Sequence, residues 1–371
     1  MESKSGNSGT TRREFLATSA GTVAAGFAGA FLAAPVTSWA QQSHTASAPL
    51  RIIFDTDPGV DDAMAILLAL RSPELKIEAI TPVAGNVPLE HTLPNALSLL
   101  ELAGRTDIPV AAGARTPLLR SLVTAKSVHG ENGLAGVELP KPKLQPVAET
   151  ASELIRRIVR ANPGQITIVA VGPLTNVATA FRADPDLAGM VRGIAIMGGS
   201  LSGGNVTPAA EFNFYVDPEA ARIVFEAGAP VMMVGLDVTR KALFRDEHLK
   251  VLEAVNRPVS QFAAQIMRRT MDRWSADGNH VVALHDPLTV ANLIDPGILT
   301  LKDYYVTVET SGELTAGESL GYPRGPVRKS AALAPQPGEL SGSEDFKPNA
   351  KVAMEVDVDR FMRLLLPRIA Q

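Results

Sequence analysis

The stretch RIIFDTDPGVDDAMAILLAL, residues 51–70, decides how the rest of the chain is read. Its apolar start predicts a buried strand, Pro58-Gly59 a turn, and Val60 the first residue of a helix. Asp55 and Asp57 then stand at the carboxyl end of the strand. Asp61 and Asp62 fall in the helix's first turn, where unpaired backbone N–H groups and the helix dipole favour negative charge. The helix start accounts for two carboxylates, but four within eight residues resist ionising together and call for a cation. A helix N-cap with surplus surface acid is the alternative, and the position behind a buried strand weighs against it.

Outward from this stretch, short β-like runs alternate with amphipathic helical ones. KIEAITPVAG, IPVAAG, QITIVAVGP, RGIAIMGG and PVMMVGLDVT read as buried strands ending in Gly, Pro or Asp. Between them lie helical segments: NALSLLELAG, ETASELIRRIVRAN, LTNVATAFRA and DPEAARIVFEAG. Such alternation predicts an α/β fold, a mainly parallel central sheet with helices on both faces, with ligands outside the carboxyl ends of the strands. Beyond residue 240 the pattern is helical over 246–274 and again in HDPLTVANLI. YYVTVET and KVAMEVD read as late strands, and VDRFMRLLLPRI as a closing helix. Residues 321–350, rich in Pro, Gly and Ser, read as a long loop. There is no internal repeat and no sign of a second core, so residues 41–371 are expected to form one domain.

The first forty residues differ in character. A polar start with Arg12-Arg13 leads into an Ala/Gly-rich apolar run over 17–36 and ends in Ser38-Trp39-Ala40, the three parts of an export signal peptide. The paired arginines in TRREFL resemble the twin-arginine signal, which implies export of the folded protein by the twin-arginine machinery, cleavage after Ala40 and a periplasmic or secreted location. An uncleaved anchor is the alternative; the weak hydrophobicity of the run argues against it. The 371 residues carry a net charge of -4 with a pI near 5.9, which gives no electrostatic case for nucleic acid. There is no cysteine, which removes thiol nucleophiles and cysteine-ligated zinc.

Several oxygen ligands without cysteine suit Ca²⁺ or Mg²⁺. An EF-hand loop counted from Asp55 would need Gly and Glu where Val60 and Ile66 stand, and the DxDxT phosphatase pattern fails at Gly59.

Taken with its neighbours, DTDPGVDDAMAILLAL resembles the amino-terminal signature of the inosine/uridine-preferring nucleoside hydrolases. The resemblance continues in order through AGN (84–86), HGENGL (129–134), VGPLTNVA (171–178), MGG (197–199), GNVTPAAEFNFYVDPEAA (204–221) and LHDP (284–287). It implies a Rossmann-like nucleoside hydrolase fold and Ca²⁺-dependent cleavage of the N-glycosidic bond of ribonucleosides, giving free base and ribose for purine and pyrimidine salvage. By motif, Asp57 is expected to ligate calcium and act as general base toward a metal-bound water. Asp62, Asp286 and the Val171 carbonyl are the further expected ligands. Asp61, Asn86, Asn205, Glu211 and Asn213 are expected to grip the ribose, and His129 to lie on a loop at the pocket mouth. His285 resembles the family histidine that protonates the departing base. Asp55 is expected to orient its neighbours without touching the metal. Homo-oligomers, dimers or tetramers, are usual in the family.

The residue types suit that chemistry independently. Carboxylates and amides bind sugar hydroxyls directionally, calcium lowers the pKa of bound water, and a ring of acids stabilises the positive charge that develops on ribose as the bond breaks. A surface position for His129, turn or N-cap roles for Asn176 and Asp217, and solvent-facing His91 and His248 are the blander expectations. Trp274, Phe212 and Phe214 read as core aromatics, and strand alternation around 211–214 would put Glu211 and Asn213 on the site face. Gly198-Gly199 permits close backbone approach and matches no phosphate loop. Two further readings stay open: a non-catalytic periplasmic nucleoside-binding protein, against which the retained Asp57 argues, and a hydrolase of another N-riboside. Base specificity would lie in the loop around His129 and in helices over 262–280.

Overall fold

A computed structural model describes residues 48–274, 280–323 and 347–371, all within the unit Gln41–Gln371. The expected export signal and most of the expected 321–350 loop lie outside the described residues.

The chain opens with β1 (Leu50–Thr56), α1 (Val60–Leu70), β2 (Leu75–Pro82), α2 (Leu89–Leu102), α3 (Lys126–His129) and α4 (Ala151–Ala161). It continues with β3 (Ile166–Ala170), α5 (Thr175–Ala183), β4 (Gly193–Met197), α6 (Phe212–Val216), α7 (Pro218–Glu226) and β5 (Val231–Val234). Next come α8 (Leu236–Thr239), β6 (Leu243–Phe244), α9 (Asp246–Glu253), α10 (Pro258–Trp274), β7 (Val282–Ala283) and α11 (His285–Ile294). The last elements are β8 (Leu299–Val308), β9 (Ser319–Pro323), β10 (Ala350–Val356) and α12 (Val358–Ala370).

Eight strands form one sheet in the order β2-β1-β3-β4-β5-β10-β8-β9. The run from β2 to β10 is parallel, and β8 and β9 join antiparallel at the far edge. Because side chains alternate along a strand, one set (Ile53, Ile168, Ile196, Met233, Val352) packs with buried residues of α4, α5 and α7. On the opposite face Asn292 of α11 donates to Met232 Sδ. Local signals set several boundaries. Thr150 and Glu153 form a reciprocal capping box before α4, and Asp217 caps α7 by accepting from Ala220 N at 3.0 Å, with Pro218 at the first helical position. The strand order reverses between β1 and β3, since β1 leads outward to β2 on one side and the chain returns to β3 on the other. Such a crevice is where open α/β sheets bind ligands.

Several expectations need correction. IPVAAG forms only an isolated bridge, Ile80 to Val110, since residues beyond it turn away to pair with the 147–151 segment. The strand in PVMMVGLDVT stops at Val234, and LDVT is α8. Residues 212–216 are helical, because the Glu211 carboxylate caps them. Trp274 is 46% exposed, whereas Phe214 packs edge-on against Phe225 in the core. Asn176 lies within α5 and is no N-cap. His248 is half-buried against Phe244, with Nδ1 accepting from Arg245 N; His91 is exposed as expected.

Candidate active site

The turn after β1 brings its acids together at the switch point. Asp62, at the third position of α1, accepts hydrogen bonds from Thr56 Oγ1 (2.6 Å), Asp57 N (3.1 Å), Gly59 N (2.9 Å) and Asn86 Nδ2 (2.9 Å). Asp57 Oδ2 accepts from Asn86 N at 2.6 Å, while its Oδ1 is buried without a partner. Two glycines wall this carboxylate. A Cβ on Gly85 would stand 2.1 Å from Asp57 Oδ2, and one on Gly172 would stand 2.5 Å from Oδ1. The AGN and VGP motifs therefore place glycine where a side chain would collide with Asp57.

The first turn of α11 meets the first turn of α1, so two helix N-termini point at one place. Ligand atoms of Asp61, Asp62 and Asp286 lie within 4.8 Å of one another there, all buried. Burial raises Asp57 and Asp286 well above the usual carboxylate range, with repulsion from Asp62 and Asp61 respectively adding to it. Asp61 is pushed up to about 7 by burial and by Asp62. Acids so placed resist full ionisation until a cation joins them. The clustered donors are carboxylate oxygens, with the unpartnered Asp57 Oδ1 beside them, and such a set fits a hard divalent cation.

Asp55 points back into the fold. Its Oδ2 accepts from Thr81 Oγ1 (2.6 Å) and Asn176 Nδ2 (2.9 Å), and burial pushes it up to about 7. Asn176 also accepts from Ala114 N, so this side chain ties β1, β2 and the 112–114 segment together.

Across the crevice, Glu211 Oε1 accepts from Asn213 N and Oε2 from Gly199 N and Phe214 N; burial raises it to about 7. Asn213 Nδ2 donates to the Val171 carbonyl at 2.8 Å, which leaves that oxygen a second lone pair. Asn205 is exposed at the rim, its Oδ1 accepting from Phe212 N. His129 is buried, not on the surface. Its Nδ1 accepts from Val60 N at 3.0 Å, Asp61 Oδ1 lies 4.0 Å away, and burial lowers it to about 4. His285 is lowered to about 4 by burial, then by His129 and Arg240, so its ring is neutral at pH 7; Nδ1 lies 2.8 Å from Thr239 Oγ1. His280 is exposed, 4.0 Å from Asp246.

The structure thus gathers Asp57, Asp61, Asp62, Asn86, His129, Val171, Glu211, Asn213, His285 and Asp286 at the carboxyl ends of the strands, with Asn205 outside. The sequence reading did not single out Thr56, Thr81 or Thr239, which carry no motif of their own, nor the walls Gly85 and Gly172.

Fold and site together define an α/β protein with a buried, oxygen-rich ligand site at the switch point of a parallel sheet. Residues 52–363 match the family of inosine-uridine preferring nucleoside hydrolases. The pyrimidine-specific ribonucleoside hydrolase RihA of Enterobacter sp. (strain 638) is 44% identical over 325 residues, 87% of this chain and 98% of that protein. RihA of Citrobacter koseri is 45% identical over 327 residues, 86% and 98% of the two chains. Among solved structures, the plant nucleoside hydrolase PpNRh1 has a TM-score of 0.79 at 37% identity, covering 87% of this chain and 99% of its own. The purine-preferring ribonucleoside hydrolase from Gardnerella vaginalis has a TM-score of 0.78 at 32% identity, covering 86% and 98%. The chain belongs to this family, and it is a ribonucleoside hydrolase, an N-glycosyl hydrolase.

Proposed function

We propose that the protein hydrolyses ribonucleosides with calcium at the acidic cluster and Asp57 as the general base. The observation that carries this reading is Asp57 Oδ1, a buried carboxylate oxygen without a hydrogen-bond partner, beside the cluster of Asp61, Asp62 and Asp286. Asp55 Oδ1 is buried without a partner as well, so it is the position beside the acidic cluster that singles out Asp57. Asp57, Asp62, Asp286 and the Val171 carbonyl would hold the ion, which when bound offsets their repulsion and lowers the pKa of a coordinated water.

The chain's own groups carry the remaining steps. Asp61, Asn86, Asn205, Glu211 and Asn213 hold the ribose hydroxyls. Asp57 takes a proton from the attacking water as its oxygen bonds to the anomeric carbon. The bond to the base breaks with its electron pair going to the base, and the surrounding carboxylates stabilise the positive ribose. His285, neutral at pH 7, supports the departing base by donating from a ring N–H, and His129 flanks that base. Because the RihA relatives are named as pyrimidine-specific, uridine and cytidine are the preferred substrates under this proposal. Residues 1–40 serve as a cleaved twin-arginine export signal, so a single domain over 41–371 works in the periplasm or outside the cell, as a dimer or tetramer.

The test is release of free ribose from inosine, adenosine, guanosine, uridine and cytidine by protein starting at Gln41, with and without a calcium chelator. Chelator-sensitive release, fastest from the pyrimidines, is expected. Release that a chelator leaves untouched would refute the role of calcium, and release fastest from inosine or guanosine would refute the pyrimidine preference.

A further inference from the structure

The helical turn α8 and the Arg240 that caps it have no assigned role, yet their polar side chains reach His285 and the loop leading to Asn205. Asp237 Oδ2 accepts from Leu201 N at 2.9 Å, and Arg240 donates to the Gly204 carbonyl. Those two residues hold both ends of the 201–204 loop, which leads directly to Asn205. Thr239 points elsewhere: it is fully buried, and its Oγ1 meets His285 Nδ1 at 2.8 Å.

We propose that Thr239 is a positioning residue for His285, and that α8 thereby sets the imidazole that serves the departing base while Asp237 and Arg240 set the rim that holds the sugar. The two ring nitrogens of histidine lie on different edges. With Nδ1 held by Thr239, the ring is fixed and Nε2 is the nitrogen left to meet a ligand. A hydroxyl both donates and accepts, so the contact fits either tautomer of the ring and survives a change at Nε2. No other side-chain hydrogen bond to His285 is found among the described residues, so rotation of its ring is restrained mainly by this one. The proposal rests on the reading of His285 as the partner of the departing base.

Thr239→Val keeps the shape and removes the hydroxyl, while Thr239→Ser retains it. Two substrates separate the roles: uridine, whose base leaves poorly without a hydrogen-bond donor, and p-nitrophenyl β-D-ribofuranoside, whose phenolate leaves unaided. In calcium-saturated full-length mature protein, Thr239→Val is expected to lower kcat on uridine by about 10- to 100-fold. It should change kcat on the nitrophenyl riboside, and KM for both, by no more than about threefold. Thr239→Ser should recover most of the uridine activity. Arg240→Ala is expected to do the reverse, raising KM for both substrates by a common factor. Equal loss of kcat on both substrates in Thr239→Val would make Thr239 merely structural and overturn the proposal, as would full uridine activity. His285→Ala, run beside it, tells two failures apart. If uridine turnover withstands that change, the reading of His285 itself is wrong. If His285→Ala harms uridine selectively and Thr239→Val does not, only the positioning role falls.

Discussion

Replacing Asp57 with Asn removes the proposed base with little other disturbance. The two carboxylate oxygens have different surroundings: Oδ2 accepts from Asn86 N at 2.6 Å, whereas Oδ1 is buried without a partner. An asparagine can therefore keep its oxygen on Asn86 N–H and place its NH₂ group where Oδ1 stood, with no donor facing a donor. Gly85 and Gly172 leave the amide no room to swing away. The change also removes one of several buried acids that repel one another, since Asp62 and Asp61 both raise Asp57. Folding should survive, and the melting temperature of metal-free protein should hold or rise. Chemistry should not survive, because an amide cannot take the water's proton. The expected loss in kcat is about 10²- to 10⁴-fold, a barrier increase of about 3–5 kcal/mol. The assay is ribose release from uridine at saturating substrate and calcium, so that weakened metal binding does not pass for lost catalysis. A folded variant whose kcat stays within about tenfold of the parent would remove Asp57 from the role of base. Loss of the fold would refute the account of its cradle.

Gly172→Ala puts a Cβ 2.5 Å from Asp57 Oδ1, so it should lower kcat by about tenfold or more while a purely stabilising glycine-to-alanine change elsewhere would not; unchanged turnover would mean that the wall can shift freely. In chelated protein, Asp55 and Glu211 have folded values of about 7, above their ordinary 3.8 and 4.5. The folded state then holds protons that the unfolded state has released, so this stability is fully present below about pH 4 and is lost as pH rises through 7, by on the order of a few kcal/mol. The melting temperature without metal should accordingly fall between pH 5 and pH 8, and a flat or rising profile would contradict the burial of these acids. Calcium at about a hundred times its dissociation constant should add about 2.7 kcal/mol. The gain should be larger at pH 8 than at pH 5, because protonated carboxylates bind the ion poorly; calcium-independent melting at pH 8 would refute the metal site.

Much of the fold could be read from residues 51–70, because strand, turn and helix there have separate chemical signatures: a β-branched and aromatic run, Pro-Gly, then acids at a helix start. The parallel alternation was equally legible, since buried strands and amphipathic helices differ in period. What failed was local competition. EFNFYV alternates polar and apolar residues as a strand does, yet Glu211 accepts from Asn213 N and Phe214 N and bends the segment into α6. IPVAAG is apolar enough for a strand, but Val110 O is taken by Val147 N after a single bridge. The burial of His129 could not be seen because its partner, Val60 N, lies 69 residues away. Separations of 121 and 46 residues likewise hid the links from Asn176 to Asp55 and from Thr239 to His285.

The acids of DTDPGVDD also differ in a way that sequence alone cannot show, because a carboxylate's task depends on how many donors it has already received. Asp62 takes four and is thereby fixed in place; Asp55 has two side-chain donors, from Thr81 and Asn176. Asp57 takes one, from Asn86, and keeps a bare oxygen, while Asp61 faces His129 across 4.0 Å. A donor spent on a carboxylate lowers its basicity and its appetite for a further partner. Asp55 and Asp57 each keep one buried oxygen without a partner, but only Asp57 stands among the other acids of the turn, where Asp62 and Asp61 raise it. Under the proposed mechanism, repulsion makes that incompleteness costly without the metal, and the same incompleteness would let a cation, a water and a positively charged ribose each bind more strongly than beside an acid already surrounded by donors.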